Sequence, residues 1–239
     1  MSLKDKTVFI TGATKGIGLG IAEACLQSGM KVLINSRSQS SVDEVVNKLQ
    51  KEHPDRVIGY AGNVTDIEMM TNAANKMNDT WGQIDAVIAN AGVGHFAPIG
   101  DLTSEQWHQV IDVNLTGVFN TLKASLDHLK KSKGYFISIA SLAGTNFFAR
   151  GAAYNASKFG LVGFTQAVMM DLRQDDIKCS TIMPGSVATY FNDHVPTDAD
   201  DWKIQPEDIG QITVDLLKMP ARTLPSKVEV RPSKPPIKK

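Results

Sequence analysis

The sequence predicts an α/β fold: one open, doubly wound, mostly parallel sheet of seven strands, with helices on both faces. Three observations predict it. Short apolar, β-branched runs recur along the chain and alternate with longer helical patterns. Within the runs, apolar residues follow one another instead of alternating with polar ones, which marks strands buried on both faces. Each run is followed by a helical stretch, so the repeating unit is a right-handed parallel βαβ crossover. With 239 residues, 42% of them hydrophobic, the chain is expected to be a single domain (1–239) with a substantial core.

The elements follow in order. "TVFIT" (7–11) reads as the first strand, and a glycine turn leads from it into a helix ending near Ser28. "KVLINS" (31–36) is the second strand, followed by a helix over about 40–52. "VIGYAG" (57–62) is the third, with a helix from Asp66 to about Thr80. "IDAVIAN" (84–90) is the fourth. A helix then opens at Thr103, with Gln106 three residues later as a capping box, and is expected to run unbroken through "EQWHQVIDVNLTGVFNTLKASLDHLKK". "GYFISIA" (134–140) is the fifth strand, with a helix over 153–174. "IKCSTIMP" (177–184) is the sixth, a helix starts near Pro206, and "KVEV" (227–230) is the seventh. Residues 186–205 are polar and turn-rich with interspersed aromatics, the pattern of a substrate flap. The tail "RPSKPPIKK" (231–239) is basic and proline-rich, and reads as a solvated end.

Charge and composition exclude several classes. Lys and Arg number 25, as do Asp and Glu, so nothing points to nucleic acid or an anionic membrane as partner. No apolar run approaches the ~18 residues of a membrane span. The two cysteines, Cys25 and Cys179, sit in apolar segments without metal-ligand spacing. They read as buried thiols in a reducing compartment, with no metal site. "MSLKDKTVFITG" is not a signal peptide, so the expected location is cytoplasmic.

The turn "TGATKGIG" (11–18) carries Gly12, Gly16 and Gly18 between the first strand and first helix. It lacks the GK[ST] of a nucleotide-triphosphate loop. Gly12 permits a sharp turn, Gly16 lets a diphosphate approach the backbone, and Gly18 is expected to let the helix pack on the sheet. This is the arrangement of a Rossmann-type dinucleotide site. The second strand ends "INSRS", so Ser36 stands where an acid would accept from a free ribose 2′-hydroxyl, and Arg37 follows. Lys15 projects from the glycine turn. Two cations and no carboxylate suit a 2′-phosphate, hence NADP(H).

"YNASK" (154–158) places Tyr154 and Lys158 four apart, on one face of a helix. The ammonium is expected to lower the phenol pKa from its usual ~10, making Tyr154 a general acid or base. Ser141 lies past the carboxyl end of the fifth strand, where open α/β sheets place their sites. Its hydroxyl can hold a substrate oxygen. Asn114 interrupts an apolar helical run and needs hydrogen-bond partners there. The pocket is expected from 93–100, 142–152 and 186–205, with His95, Phe147, Phe148, Tyr190 and Phe191 as candidate walls and Arg150 as a candidate partner for an anionic group. The other four histidines read as surface or structural.

Together these residues resemble the single-domain short-chain dehydrogenase/reductases over about 5–230. The resemblance is carried by "TGATKGIG", "ANAG" (89–92), Asn114 in "DVNLTG", Ser141 in "SIASLAG" 13 residues before Tyr154, "YNASK" and "PGSVAT" (184–189). It implies an NADP(H)-dependent oxidoreductase interconverting a ketone and a secondary alcohol, a small-molecule substrate, with Asn114, Ser141, Tyr154 and Lys158 as the catalytic set. It further implies that Lys158 holds the nicotinamide ribose and that Asn114 anchors a water in a relay through Lys158. The implied cofactor contacts are Gly12, Thr14, Lys15, Gly16, Ile17 and Gly18 in the turn, Ser36 and Arg37, and Asn63 and Val64. They continue through Asn90, Ala91, Gly92, Tyr154 and Lys158 to Pro184, Gly185, Val187 and Thr189. A homodimer or homotetramer packed through helices at 104–131 and 153–174 is also implied. Two positions depart from the family pattern. Ala89 stands where a first Asn is usual, with loss of a strand tie expected, and Asn63 replaces the usual Asp that meets adenine. A 3-oxoacyl thioester reductase is the nearest alternative within this class. A non-catalytic dinucleotide sensor or scaffold is the alternative outside it, and an intact Asn–Ser–Tyr–Lys set argues against that.

Overall fold

The computed structural model of the chain describes residues 2–235. The last four residues of the basic tail, 236–239, lie outside it. Seven strands are present: β1 Thr7–Thr11, β2 Lys31–Ser36, β3 Val57–Ala61, β4 Ala86–Ala89, β5 Tyr135–Ile139, β6 Lys178–Pro184 and β7 Lys227–Val230. They form one sheet in the order β3-β2-β1-β4-β5-β6-β7, and every pair is parallel. The helices are α1 Gly16–Gln27, α2 Gln39–Glu52, α3 Ile67–Trp81, α4 Ser104–Ile111, α5 Gly117–Ser132, α6 Ala152–Leu172 and α7 Pro206–Lys218. The fold class read from the sequence is the one observed.

Period-two alternation divides each strand between two cores. Val8 and Ile10 of β1, Ile34 of β2, Ile88 of β4 and Ile137 of β5 pack on one face, with α1 and α7. Phe9, Leu33, Val87 and Phe136 pack on the other, with α3, α5 and α6. Burial of both faces explains why the strands read as continuous apolar runs. On the first face α1 and α7 meet backbone to backbone: a Cβ on Gly20 would stand 2.6 Å from Pro206 C, and one on Gly210 2.5 Å from Gly20 O.

The order of connection reverses between β1 and β4, which opens a crevice at the carboxyl ends of the strands. Most candidate site residues lie at the ends of strands, on loops or in the first turns of helices at that end, and Asn114 lies within a helical segment. The structure breaks the expected long helix over 104–131 into α4, a π-turn at Asp112–Thr116, and α5. The extra residue of a π-turn re-aims the side chains it carries, and here it carries Asn114. β4 is shorter than the run read from sequence. The Asn90 backbone N–H turns to the Thr11 hydroxyl at 3.0 Å instead of continuing the ladder.

The flap is a closed excursion. Its neck is fastened by Ala188 N–H to Ile204 O at 2.9 Å and Ile204 N–H to Ser186 O at 3.1 Å. Inside it, buried Asp200 accepts from Lys203 Nζ at 2.6 Å, His194 Nε2 at 2.7 Å and Thr197 N at 3.1 Å. Those hydrogen bonds, Lys203 first, hold the Asp200 carboxyl well below the usual carboxylate range. Both cysteines are free and buried, and burial pushes each thiol up to about 12. No helix among the described residues is long and apolar enough to cross a membrane.

Candidate active site

At the switch point the β1–α1 turn is clamped to the segment after β4. Gly12 and Gly16 adopt φ of +63° and +55°, in the left-handed region that favours glycine. A Cβ on Gly12 would approach Ala91 Cα to 2.8 Å. Asn90 Nδ2 donates to Thr11 O at 2.9 Å and Gly12 O at 3.1 Å, and the Thr11 hydroxyl accepts from the N–H groups of Asn90 and Ala91. Asn90 therefore keeps a tie between the two segments that does not depend on position 89, where Ala89 is buried in the core. Gly18 brings the first turn of α1 close to the segments that follow β1 and β4. A Cβ there would stand 2.4 Å from Gly12 O and 2.5 Å from Asn90 Nδ2, so Gly18 makes room for the turn itself. Gly20 and Gly210 serve the close helix packing. On Gly16, by contrast, a Cβ would meet Thr189 at an ordinary 3.4 Å. The run from Pro184 through Gly185 and Val187 to Thr189 thus returns over the glycine turn. Ile17 packs inward on the α1 face of the core.

Thr14, Lys15, Ser36 and Arg37 line one cavity of about 560 Å³ beyond the end of β2. Its far wall is the start of α2, where the Ser38 hydroxyl accepts from Ser41 N at 3.3 Å as the N-cap. A helix N-terminus, two cations and two serines favour an anion there. Glu44 is also on that wall, a carboxylate the sequence reading passed over. Its spacing three residues after Ser41 puts the two on one helix face, a signal that was available. Beneath the cavity buried Asn35 donates to Tyr60 O and Gly62 O at 3.0 and 3.1 Å, and its Oδ1 has no partner among the described residues. Asn63 Oδ1 accepts from Thr65 N at 3.2 Å, and Val64 is buried with its carbonyl taken by Asn120 Nδ2.

At the other end of the crevice four predicted residues come together. Lys158 is buried, its Nζ donates to Ile139 O at 3.0 Å, and it stands 5.7 Å from the centroid of the Tyr154 ring. Burial pushes its ammonium down to about 8. A Cβ on Gly92 would lie 3.4 Å from Asn114 Oδ1 and 3.8 Å from Lys158 Nζ, so the three converge. Asn114 is buried; its Oδ1 accepts from Val93 N at 2.8 Å, and its Nδ2 donates to Val93 O at 2.9 Å and Ser157 Oγ at 3.0 Å. Both amide hydrogens are thereby used, so the side chain has no donor left for a water. Ser141 Oγ accepts from Ala143 N at 3.1 Å and lies within 3.4 Å of Pro184 O.

The expected direction of the tyrosine shift is also corrected. Tyr154 is half-buried overall, but protein crowds its hydroxyl, and that burial pushes the phenol above its usual value. A hydrogen bond with Ser141 opposes the rise. The Lys158 ammonium, 5.7 Å from the centre of the ring, gives its hydrogen bond to the Ile139 carbonyl and not to the phenol.

The pocket candidates divide. Phe96, not singled out from the sequence, packs on Tyr154 at 5.4 Å between ring centroids, on Phe148 at 5.8 Å and on Phe191 at 6.3 Å. Phe191 also meets Tyr154, at 5.6 Å. Phe147 points out and is 85% exposed. His95 turns aside to Gln109 Oε1 at 2.6 Å. Arg150 serves through its backbone: its φ of +68° is left-handed, and its carbonyl accepts from Ala97 N at 3.0 Å. Tyr190 lies 6.0 Å from Lys15 Nζ. Asn155, also passed over, donates to Ala143 O and Asn146 O, each at 2.8 Å, and so pins the 142–151 loop to α6. A second hollow of about 180 Å³, lined by Asn78, Gln83, His128 and Lys131, lies at the opposite end of the sheet. Among the described residues no three His, Cys, Asp or Glu side chains gather as a metal site.

The chain is similar to known proteins over nearly its whole length. An uncharacterized oxidoreductase of Staphylococcus saprophyticus is 32% identical over 237 residues, 97% of this chain and 99% of the relative. Among solved structures, an alcohol dehydrogenase of the archaeon Thermococcus sibiricus, complexed with 5-hydroxy-NADP, superposes with a TM-score of 0.91 at 28% identity, covering 98% and 100% of the two chains. A metagenomic short-chain oxidoreductase in complex with NADP superposes with a TM-score of 0.85 at 30% identity, again covering 98% and 100%. The family model for short chain dehydrogenase matches residues 6–200, and the chain belongs to that family.

Proposed function

We propose that this chain is an NADP(H)-dependent oxidoreductase that interconverts a ketone and a secondary alcohol. The observation that carries the reading is the junction of Tyr154, Ser141 and Lys158 at the carboxyl end of the sheet. When bound, the nicotinamide supplies or accepts the hydride at the carbonyl carbon. Tyr154, a phenol that burial pushes above its usual value, carries its proton at neutral pH and donates it to the carbonyl oxygen in reduction. The Ser141 hydroxyl holds the same oxygen as negative charge develops. Lys158 acts after the proton leaves: its charge, present below about pH 8, offsets the phenolate. Lys158 also reaches the nicotinamide ribose. Asn114 positions the segment after β4 through Val93, and a relay water would be held by backbone groups beside it. At the far end Lys15, Arg37 and the α2 N-terminus receive a 2′-phosphate, with Ser36 in place of a repelling acid, and Asn63 and the Gly12–Gly18 turn hold the rest of the dinucleotide. The two similar structures that bind NADP or its 5-hydroxy form support this choice.

A thioester carried on a protein is less well supported. The loops expected to form the pocket, 93–100, 142–152 and 186–205, hold four aspartates against Arg150 and Lys203, so they offer no basic docking patch. The reading includes a homodimer or homotetramer, supported by exposed Trp107 on α4, Phe119 on α5, and Phe159 and Met170 on α6. It includes a cytoplasmic location, supported by the two free thiols. The test is NADPH oxidation across a panel of ketones, with Tyr154→Phe beside the wild type. The variant keeps the ring packing and loses the proton donor, so kcat is expected to fall about 100-fold or more while NADPH still binds. A variant that retains more than about a tenth of wild-type kcat removes Tyr154 as the acid.

A further inference from the structure

The surroundings of Tyr154 are aromatic to a degree that the reaction does not require. Phe96, Phe191 and Tyr154 form a closed triangle of rings, at 5.4, 5.6 and 6.3 Å between centroids. Phe148 extends the wall outward from Phe96 at 5.8 Å. The three phenylalanines come from three loops, after β4, β5 and β6, so tertiary structure alone brings them together. Phe191 is wedged against Gly94: a Cβ on Gly94 would come within 2.7 Å of its Cζ. The next residue, Asn192, has φ +56°, and this left-handed step completes the turn that carries Phe191. Outside the triangle the same loops present Ile99, Phe147 and Val195, each more than half exposed. A rim of large apolar side chains around a mouth marks a surface that receives apolar matter.

Charged and polar groups of these loops turn away from the rings. His95 bonds Gln109, Lys203 bonds Asp200, and Arg150 is exposed. A carboxylate or phosphate on the substrate would be desolvated among rings without a paired cation.

We infer that the substrate is a ketone bearing a flat apolar substituent, an aryl ketone, and that Phe96 and Phe191 select it; the inference rests on the ketone–alcohol reading above. The carbonyl oxygen must come within ~2.6–3.2 Å of the Tyr154 phenol oxygen, whose proton it receives. With that oxygen shared between Tyr154 and Ser141, one substituent extends along the Tyr154 ring toward Phe96 and Phe191. The tilts there, 66° between Phe96 and Tyr154 and 63° between Phe96 and Phe191, present edges and faces to a further ring. Phe96 is the fixed wall, held by Tyr154 and Phe148. Phe191, on a short turn outside the sheet, is the wall that adapts to substituent size.

The experiment compares kcat/KM, with NADPH saturating, for acetophenone, 2-butanone and the anionic ketone levulinate. It uses the wild type and the Phe96→Ala, Phe96→Leu and Phe191→Ala variants. Phe191 lies on an exposed turn, so its variant folds even where a change at Phe96 does not. Acetophenone is expected to exceed 2-butanone by about tenfold or more in the wild type, and levulinate to be the poorest. That ratio should fall toward unity in both alanine variants and stay between the extremes in Phe96→Leu. If 2-butanone or levulinate is preferred, or if the ratio is the same in all variants, the aryl assignment is overturned and the ketone reading stands. If no ketone is consumed with either NADPH or NADH, both fall together.

Discussion

Lys158 is the residue whose chemistry most depends on where the fold puts it. Its ammonium has an ordinary value of 10.5 and is pushed down to about 8 by burial. Below about pH 8 it is charged in both folded and unfolded chains, and the folded state carries the whole desolvation cost, on the order of 3 kcal/mol. Between about 8 and 10.5 the unfolded chain binds more protons, so this cost fades and stability rises with pH. Lys158→Met removes the cost and also the bond to Ile139 O, worth ~1 kcal/mol. The variant should therefore melt above the wild type at pH 7, with the gap closing as pH rises through that window, while kcat falls. Melting curves from pH 6 to 10 check this, and a gap independent of pH would show that Lys158 is not the titrating group. Cofactor choice is decided at the same scale. Charge-assisted bonds contribute ~1.5–3 kcal/mol each, and 1.4 kcal/mol is a factor of ten. NADPH should exceed NADH in kcat/KM by about 10- to 1,000-fold, less as salt rises. Ser36→Asp combined with Arg37→Ser should reverse the preference, and Glu44→Gln should strengthen it. Steady-state kinetics with both cofactors is the measurement, and equal use by the wild type would overturn the assignment.

At the scale of elements, the glycine turn and the π-turn do the positioning. The turn is bolted to the β4 side by Asn90, and Gly18 leaves no space between them: an added Cβ would stand 2.4 Å from Gly12 O. Both neighbours are backbone or pinned amide, so neither can yield cheaply. Gly18→Ala should cost ~1–3 kcal/mol in denaturant unfolding and weaken cofactor binding together. Unchanged stability and affinity would mean that the turn relaxes freely. The π-turn has the complementary task. It delivers Asn114 into the space beside Gly92 and Lys158, where the amide grips both backbone groups of Val93.

Across the whole molecule, α3, α5 and α6 cover one face of the sheet, α4 packs on α6, and α4, α5 and α6 still expose large apolar side chains. Trp107, Phe119, Phe159 and Met170 remain at least a third exposed, and the Phe119 and Phe164 rings pack at 6.4 Å. Since α6 also carries Tyr154 and Lys158, burial of this face against a second copy would stiffen the catalytic helix. The wild type should sediment as a dimer or tetramer, and Phe119→Glu combined with Phe159→Glu should sediment as a smaller species. A wild-type monomer at micromolar concentration would remove the oligomer from the reading.

Strand count, parallel pairing and the order of elements were legible in the sequence, because two-sided burial writes continuous apolar runs and each crossover needs a helix. The left-handed turn at Gly12 and Gly16, the place of Ser36 and Arg37 at the end of β2, and the spacing of Tyr154 and Lys158 on one helix were legible too, because turn chemistry and helical spacing are local. What tertiary structure decided is whatever depends on partners distant in the chain. The break at Asp112–Thr116 follows from Asn114 meeting Val93 and Ser157, 21 and 43 residues away. Phe96 was invisible as a site residue because its neighbours Tyr154 and Phe191 arrive from other loops. The direction of the Tyr154 shift was misread for the same reason. Spacing reports that an ammonium is near, but burial sets the dielectric around the phenol, and burial is a property of the assembled fold.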